Sequence, residues 1–475
     1  MENGEQPLLS SIEDESHNSQ IHDHVGSSTG IQYFFREICV ESKKLWYLAA
    51  PAIFTSICQY SLGAITQVFA GQLGTTELAM VSVENSIIAG FGSGIMWGMG
   101  SALETLCGIA FGAGHLEMLG IYMQRSWIIL NVTALLLMFL YIFATPVLKI
   151  IGETDEISEE AGIFSLWMIP QLFAYAMNYP LTKFLQAQSK FMAMAVISAV
   201  TMVLHTVFSW LLMLKLGWGM VGAAVVLNLS WWFIVLAELV YIFSGACGRA
   251  WTGFSWMAFQ NLWGFLKLSL ASALMLALEI WYMMALALFA GYLKDAEVSV
   301  DASSICVRVS NELGAAQPRA AKFSAVVVGA TSSLVGLFLA LVLIVSAKQY
   351  PSLFSTDAQV KELVYELTPL LGVAILLYNL QFALAGVAIG AGWQSYVAYV
   401  NLGCYYLVGI PTCLLMAFKF NMGIQGIWWG VLVGSVLEAS IISWIMYKTD
   451  WNKEASIAGD KLQQWGGKTI NDTEF

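Results

Sequence analysis

The stretch Phe69-Ala70-Gly71-Gln-Leu-Gly-Thr-Thr-Glu77 decides the fold, because its framework returns 220 residues later. Phe289-Ala290-Gly291 is again followed by Leu293 and Glu297 at the same spacing. Each copy closes a long apolar run. Repetition of an apolar unit within one chain is typical of duplicated membrane bundles that move solutes. The sequence therefore predicts two related, membrane-embedded halves.

The composition excludes a water-soluble globular domain. The chain has 475 residues, of which 58% are hydrophobic and 11% charged, and its mean hydropathy is +0.70. Apolar runs of about 20 residues, the length that crosses the hydrocarbon layer as a helix, recur along it and exclude a barrel of short strands. We predict eleven spans, at about 45–70, 81–108, 122–148, 161–182, 192–214, 220–243, 264–291, 321–346, 363–390, 396–417 and 424–447.

The second half is shorter than the first. Gly71 corresponds to Gly291 at an offset of 220 residues, whereas Gly112 corresponds to Gly314 at an offset of only 202. The shortfall lies where the second helix of the second half belongs, and the polar stretch 298–311 is too short to span a membrane. We therefore predict an all-α integral membrane protein, a two-lobe bundle of six plus about five transmembrane helices.

Four segments follow from this pattern. Residues 1–32 are acidic and polar with no Lys or Arg, a composition that favours a disordered cytoplasmic tail. Residues 33–246 form the predicted N-lobe with helices 1–6. The predicted C-lobe, 247–450, holds helix 7, a shortened region at 292–320 and helices 9–12. Residues 451–475 are a cytoplasmic C-terminal tail.

Loop charges predict the sidedness of the bundle. Lys and Arg prefer short cytoplasmic loops. If both termini are cytoplasmic, as in a twelve-span parent, 15 of the 21 basic residues fall on the cytoplasmic side, including Arg125, Lys183 and Lys190. We therefore expect the orientation of such a parent to be retained, with the loop after Gly112 inside and those after Leu73 and Ile151 outside. The alternative is that eleven true spans invert everything after residue 320 and place the C-terminus outside.

Two glycine-rich blocks and three shorter motifs carry a family resemblance. The blocks are Ala102-Leu-Glu-Thr-Leu-Cys-Gly-Ile-Ala-Phe-Gly-Ala113 and Arg308-Val-Ser-Asn-Glu-Leu-Gly-Ala315, and they accompany Gly71-Gln-Leu-Gly, Met123-Gln-Arg-Ser and Gly392-Trp-Gln. Together they resemble the MATE (multidrug and toxic compound extrusion) transporters, the plant DETOXIFICATION branch best. The resemblance extends from about residue 33 to 465.

That resemblance implies a twelve-helix fold of two six-helix lobes around a central cleft, which exports organic compounds from the cytosol in exchange for protons. The lost interval corresponds to the eighth helix of the family. Ile109 stands where the family commonly has Gln. Tyr378-Asn379 stands where many members carry a midmembrane Asp followed by a small residue.

Glu279 is the candidate proton-coupling residue. It lies near the middle of the seventh span, where a charged carboxylate costs about 3 kcal/mol on insertion scales. Such a carboxyl should face protein or water, and there it can bind and release a proton. At the offset of 220, Gln59 is its counterpart in the N-lobe. A neutral, hydrogen-bonded structural acid is the alternative reading.

The other intramembrane ionisable residues remain open. Glu84 and Glu104, near opposite ends of the second span, suit either interfacial packing or transport chemistry. Glu238 and Glu438, in the last span of each lobe, suit inward hydrogen-bonded structural roles. His205 and Glu238 are candidates for a secondary proton site, with a satisfied core histidine as the alternative for His205.

Midspan polar and aromatic residues are candidates for the substrate cavity, because flat aromatic faces suit planar organic substrates and cations. Trp and Tyr also form interfacial belts and packing contacts, which is the alternative for each. The candidates are Gln59, Tyr60, Asn85, Trp281, Tyr282, Tyr378, Asn379 and Gln381.

Several chemistries find no support in the sequence. The seven cysteines show no CxxC pair or metal-ligand spacing, and no Walker lysine follows either glycine-rich block, so those glycines predict close helix approach or loop bending. No spaced nucleophile and base indicates an enzyme. We expect no cofactor, no metal and no nucleic acid. The expected partners are the lipid bilayer, a small organic substrate and protons, for a monomeric chain.

Three functional readings remain. The first is a proton antiporter that exports xenobiotics or plant secondary metabolites such as flavonoids or alkaloids. The second is a channel-like permease for small anions. The third is an impaired isoform that lacks one helix. The stretch Glu5-Gln-Pro-Leu-Leu9 approaches an acidic dileucine sorting signal, so the vacuolar membrane and the plasma membrane are the expected locations of this multi-pass protein.

Overall fold

The computed structural model describes residues 27–290, 309–349 and 358–464, which are almost entirely helical and contain no strand. Residues up to Lys44 form one unit and residues from Leu45 onward another. The following description concerns the second unit.

The helices of the N-lobe follow the predicted spans. Their bounds are α1 Ser27–Leu73, α2 Thr75–Val83, a π-helical turn Glu84–Ala89, α3 Gly90–Gly112, α4 Leu116–Ile142, α5 Ala144–Ile151, α6 Asp155–Ala187, α7 Phe191–Ser209 with a π-helical end Trp210–Lys215, and α8 Gly219–Tyr241. A linker with short 3-10 turns at Gly248–Ala250 and Trp256–Phe259 leads to the C-lobe.

The described helices of the C-lobe begin at Leu262. They are α9 Leu262–Ala290, a short helix at 309–314, α10 Pro318–Val345, α11 Ala358–Ala391, α12 Gln394–Asn401, a π-helical segment Leu402–Gly409, α13 Ile410–Leu414, a second π-helical segment Leu415–Lys419, α14 Gly423–Lys448 and α15 Trp451–Gln464.

The predicted fold class is confirmed. Ten helical segments of the described chain are long and apolar enough to cross a membrane, and the predicted span 161–182 lies inside α6, an eleventh long helix. The described long helices divide into six before the linker and five after it. Most of the predicted irregular segment lies outside the described residues, as does the predicted tail up to residue 26.

Three boundaries differ from the prediction. The span at 122–148 begins earlier, at Leu116, and ends at Ile142, because the chain breaks at Phe143 before a second apolar helix, α5. Helix α1 starts at Ser27, inside the predicted tail. The C-terminal tail contains α15, whose Trp451 is buried. Adjacent apolar helices read as one run when only hydropathy is considered.

The two glycine-rich blocks pack backbone against backbone, which confirms the expected close approach. A Cβ atom on Gly112 would lie 1.9 Å from the Asn311 carbonyl oxygen, and one on Gly314 would lie 2.1 Å from the Ile109 carbonyl oxygen. We call this contact, with Gly108 against Ser310, the glycine seam. It joins α3 of the N-lobe to residues 309–314 of the C-lobe at the end of the bundle predicted to be cytoplasmic.

Hydrogen bonds reinforce the glycine seam. Thr105 Oγ1 donates to the Ile389 carbonyl oxygen at 2.6 Å, and Gln394 Nε2 donates to Thr105 Oγ1 at 2.9 Å. Beside them, Trp393 Nε1 donates to Glu454 Oε2 of α15 at 3.2 Å. Helix α15 contacts both α10 and α3. The two lobes are therefore connected at this end by side chains as well as by backbone contact.

A buried ion pair fixes the interior of the N-lobe. Lys183 Nζ of α6 lies 2.8 Å from Glu104 Oε2 of α3, and both side chains are almost fully buried. Lys183, expected at the cytoplasmic surface, thus lies inside the bundle. Two opposite charges in a medium of low polarity stabilise each other, whereas either one alone would be costly.

We expect Lys183→Met to destabilise the protein by about 3–5 kcal/mol, because it leaves the Glu104 carboxylate buried without its cation. Thermal unfolding of purified protein in detergent measures this. The double variant Lys183→Met with Glu104→Leu removes both charges and should recover most of the loss. A single variant as stable as the parent chain would show that the pair does not hold α3 against α6.

We expect Gly112→Ala to destabilise the glycine seam by about 1–3 kcal/mol, the usual cost of forcing atoms into a packed interface. Gly403→Ala is the matched control, since a Cβ atom on Gly403 has no atom within 4 Å. Thermal unfolding of the two variants side by side separates packing from the general effect of a helical Gly→Ala change. Equal unfolding temperatures would contradict the tight seam.

Candidate functional site

Five polar side chains from four helical segments meet in the C-lobe. Glu279 and Tyr282 come from α9, Gln381 from α11, Tyr405 from the π-helical segment after α12, and Glu438 from α14. Except for the partly exposed Glu279, all are buried. We call this set the C-lobe polar cluster. The sequence places each member near the middle of its apolar span, where only other protein groups can satisfy it.

Glu438 is the centre of the hydrogen bonding. Tyr405 Oη donates to Glu438 Oε2 at 2.7 Å, and Gln381 Nε2 donates to the same carboxylate oxygen. Gln381 Nε2 also lies 3.1 Å from Tyr405 Oη and 3.4 Å from the Ser435 carbonyl oxygen. The carboxyl group of α14 is therefore tied to α11 and to the π-helical segment.

Tyr282 completes the cluster from the side of α9. Its ring stacks on that of Tyr405, with centroids 4.3 Å apart and planes inclined by 10°. Cβ atoms on Gly409 and Gly434 would lie 2.8 Å and 3.2 Å from Tyr282 Oη. Two glycines thus make the space for the phenol. Its hydroxyl group has no hydrogen-bond partner among the described residues.

The N-lobe fills the corresponding place differently. His205 Nε2 lies 3.1 Å from Thr66 Oγ1, and His205 Nδ1 lies 2.9 Å from Ser230 Oγ. Both ring nitrogens are therefore partnered, in the manner of a satisfied core histidine. A role for His205 in a secondary proton site stays a prediction.

The repeat relates the two arrangements. Gly219 corresponds to Gly423 at an offset of 204, and the same offset aligns His205 with Gly409 and Ser230 with Gly434. In the N-lobe the polar group projects from the fifth long helix toward the first. In the C-lobe the direction is reversed, because Tyr282 of the first helix reaches toward the two glycines.

Glu279 is the exposed edge of the cluster. It is partly exposed and precedes Tyr282 by less than one helical turn, and its charge acts on Tyr405. On the same stretch of α9, Tyr406 Oη donates to the Leu278 carbonyl oxygen at 2.9 Å. Asn401 Nδ2 reaches the Met275 carbonyl oxygen at 3.4 Å. The segment that carries Glu279 is therefore held against α12 and the π-helical segment that follows it.

The predicted cavity residues are not all in one environment. Gln381 and Tyr282 lie in the C-lobe polar cluster, and the partly buried Tyr378 packs against the same hydrophobic group as Tyr282. Asn379 is buried and donates to the Ile375 carbonyl oxygen of its own helix at 2.8 Å. Among the described candidates of the second lobe, Tyr378 therefore combines aromatic character with partial exposure.

The remaining cavity candidates lie in or near α1, except for Trp281. Gln59 Nε2 donates to Ser198 Oγ at 3.4 Å, and the ring of Tyr60 is 72% exposed. Asn85 is partly buried, and a Cβ atom on Gly63 of α1 would lie 3.9 Å from its Nδ2. The side chain of Trp281 lies outside the described residues. The cavity assignments therefore stay predictions.

Glu238 is a buried candidate from the sequence, whereas Tyr405 is a site residue that the sequence analysis did not predict. Glu238 is fully buried, and neither carboxyl oxygen has a hydrogen-bond partner among the described residues. Its candidacy as a secondary proton site stays a prediction. Tyr405 was not among the predicted site residues, although a tyrosine at the middle of an apolar span is a usable signal. Within the described residues, no group of three or more His, Cys, Asp or Glu could hold a metal ion.

Comparisons with known proteins agree with this architecture. The MatE family profile matches residues 51–211 and 301–415. Protein DETOXIFICATION 29 of Arabidopsis thaliana is 59% identical over 465 residues, covering 94% of this chain and 93% of the relative. Protein DETOXIFICATION 31 of the same plant is 58% identical over 458 residues, covering 92% and 88%.

Solved structures of MATE transporters have the same fold as this chain. The eukaryotic MATE transporter AtDTX14 superposes with a TM-score of 0.82 at 31% identity, covering 90% of this chain and 99% of that one. The Vibrio cholerae MATE transporter VcmN in its bent form has a TM-score of 0.75 at 19% identity, covering 89% and 99%, and supports the fold alone. The chain belongs to the MATE family of transporters, and it is a multi-pass membrane transporter and not an enzyme.

Proposed function

We propose that this transporter exports organic solutes from the cytosol by proton antiport, with Glu279 as the carboxyl group that couples proton binding to the conformational cycle. The observation that carries the proposal is the position of Glu279. It is a partly exposed acid in the first membrane helix of the C-lobe, beside a buried cluster that contains a second acid, Glu438.

The chemistry of the cluster supports proton exchange. An ionised carboxylate surrounded by hydrocarbon is costly, so the protonation of Glu279 depends on whether water reaches it. Glu279 precedes Tyr282 by less than one helical turn, and Tyr282 stacks on Tyr405, so contacting side chains can transmit a change at the exposed acid to the buried one. Tyr405, hydrogen-bonded to Glu438 and stacked on Tyr282, links that change to α9, the π-helical segment and α14.

The contacts between the lobes support alternating access. In this structure the lobes meet at the glycine seam, where Gly112 and Gly314 bring two backbones together. That end of the bundle is predicted to face the cytosol. A duplicated transporter moves its substrate by rocking one repeat against the other around a fixed site. Opening of the seam would then admit a cytosolic substrate.

The proposed substrates are xenobiotics or plant secondary metabolites such as flavonoids or alkaloids. Aromatic side chains with some exposure, Tyr60 and Tyr378 among the predicted cavity residues, offer flat faces to planar molecules. The proposed location is the vacuolar membrane or the plasma membrane. Both separate a near-neutral cytosol from a more acidic compartment, which is the gradient that the proposed exchange requires.

We expect Glu279→Gln to abolish proton-driven transport. Purified protein is reconstituted into vesicles, a pH gradient is imposed, and movement of ethidium and of quercetin is followed together with the internal pH. An amide cannot release a proton, so uphill accumulation of the probe and the matching proton flux should both fall at least tenfold. Glu366→Gln is the control, because this acid of the same lobe is exposed near the start of α11.

Three results would contradict the proposal. Full uphill transport by the Glu279→Gln variant would exclude this carboxyl as the coupling group. Anion currents unaffected by a proton gradient, without transport of either organic probe, would favour the small-anion permease. Transport by a version with an apolar helix inserted between residues 297 and 309, but none by the chain itself, would identify an impaired transporter.

A further inference from the structure

Glu84 is a buried acid that the C-lobe polar cluster does not include. It is 0% exposed and begins the π-helical turn Glu84–Ala89, between α2 and α3. Neither of its carboxyl oxygens has a hydrogen-bond partner among the described residues. Single π-helical turns inside longer helices occur frequently at functional sites. The position is therefore neither the interfacial one nor the paired one that a structural glutamate would occupy.

The groups facing Glu84 are phenols. Helix α6 packs against both α2 and the π-helical turn. The charge of Glu84 acts on Tyr141 of α4 and on Tyr175 of α6, and Tyr175 stacks on Tyr179 at 5.9 Å between ring centroids. Gln171 Nε2 donates to Tyr175 Oη at 2.7 Å. In the described part of the chain, no Lys, Arg or His donates a hydrogen bond to the carboxyl group.

A carboxylate in these surroundings has nothing to stabilise its charge. Burial of an ionised group without a partner costs far more than burial of the neutral acid, so such a group holds a proton until water or a cation reaches it. Glu104, which lies about two turns of α3 before the cytoplasmic loop, shows the contrast, because Lys183 compensates its charge at 2.8 Å. Glu84 therefore has the chemistry of a proton site.

A cavity of about 470 Å³ opens at the end of the N-lobe that is predicted to be non-cytoplasmic. Three acids line it, Glu77 of α2 and Glu156 and Glu160 of α6. Met80 also lines it and is buried, and it precedes Glu84 by four residues, hence on the same face of the helix. On α6 the lining residue Trp167 precedes Gln171 by the same interval. We call this cavity the acidic mouth.

The charge of the acidic mouth is not neutralised nearby. Lys149 lies within 2.9 Å of Asp155 and 3.0 Å of Glu159. None of the three lining acids has an ion-pair partner among the described residues. Clefts lined by one sign of charge raise the local concentration of oppositely charged species. Hydronium is therefore concentrated in the acidic mouth, whose lining residue Met80 lies four residues before Glu84.

We propose that Glu84 is a second proton-binding carboxyl group of this transporter, which exchanges its proton with the non-cytoplasmic side through the acidic mouth. In the binding step a hydronium ion transfers its proton to a carboxylate oxygen of Glu84, leaving a neutral acid and a water molecule. A role of this proton in transport rests on the proposed antiport. The binding of the proton to Glu84 does not.

Infrared spectroscopy tests the binding without substrate or pH gradient. At neutral pH exposed acids are ionised, so the carbonyl band of protonated carboxyl groups comes from buried acids alone. We expect Glu84→Gln to remove one component of that band and Glu117→Gln, an exposed acid of the same lobe, to leave it unchanged. An undiminished band in folded Glu84→Gln protein would overturn the proposal. Should that variant fail to fold, Glu84→Asp keeps the acid and should move the same component.

The route is tested by transferring the vesicles into D2O and timing the isotope shift of this component. Replacing the three acids of the mouth by Gln should slow the exchange by roughly tenfold or more, since electrostatic focusing accelerates encounter by that order. The matched control is Glu153→Gln, Asp155→Asn and Glu159→Gln, an equal loss of charge on the same face outside the cavity. Equal rates in the two triple variants would overturn the route. Neither measurement depends on transport, so a failed antiport assay leaves both results standing.

Discussion

Water cannot satisfy a polar group inside the hydrocarbon layer, and the internal structure of both lobes depends on this constraint. Each buried polar side chain must bond to another helix, remain neutral or be paired with an opposite charge. Glu104 is paired with Lys183 across α3 and α6. Glu438 is bonded by Tyr405 and Gln381 from two other segments. Because a buried polar group is costly without its partner, it allows only the helix packing that supplies that partner. Apolar surfaces alone would allow the helices to pack in several ways.

The two halves of the duplicated chain differ in the side chains that serve as these connectors. The N-lobe places an imidazole between two hydroxyl groups, Thr66 and Ser230, which carry no charge. At the aligned positions the C-lobe has Gly409 and Gly434, and Tyr282 fills the space from the opposite helix. That substitution brings an aromatic ring against Tyr405 and thereby against the carboxyl group of Glu438. The two lobes thus differ in the side chains that connect their helices at the aligned positions.

The sequence predicted the spans well because a membrane helix is defined by a local apolar run. It failed at Phe143, where two apolar helices meet without a polar loop. Only part of the site could be predicted from the sequence. Glu279, Tyr282 and Gln381 were found because polar residues at midspan are costly, but their partners depend on the rotation of each helix. The π-helical segments Glu84–Ala89 and Leu402–Gly409 change that rotation, so a regular helical period cannot place Glu84 or Tyr405.

The two ends of the bundle differ in this structure. At the predicted cytoplasmic end, the glycine seam and the bonds of Thr105 and Gln394 close the structure. At the opposite end, the acidic mouth is lined in part by Met80, four residues before Glu84. Glycines contribute no interlocking side chains, so the seam can separate without rotamer changes, and its closure rests on backbone contact and a few hydrogen bonds. Opening it would admit water from the cytosol to groups near the cleft, whereas the mouth lies within the N-lobe and does not require the lobes to move. A carboxyl group that receives a proton through the mouth would therefore be protonated in this state. It could release the proton toward the cytosol only after the seam had opened. An antiporter driven by an inward proton gradient needs this order of events.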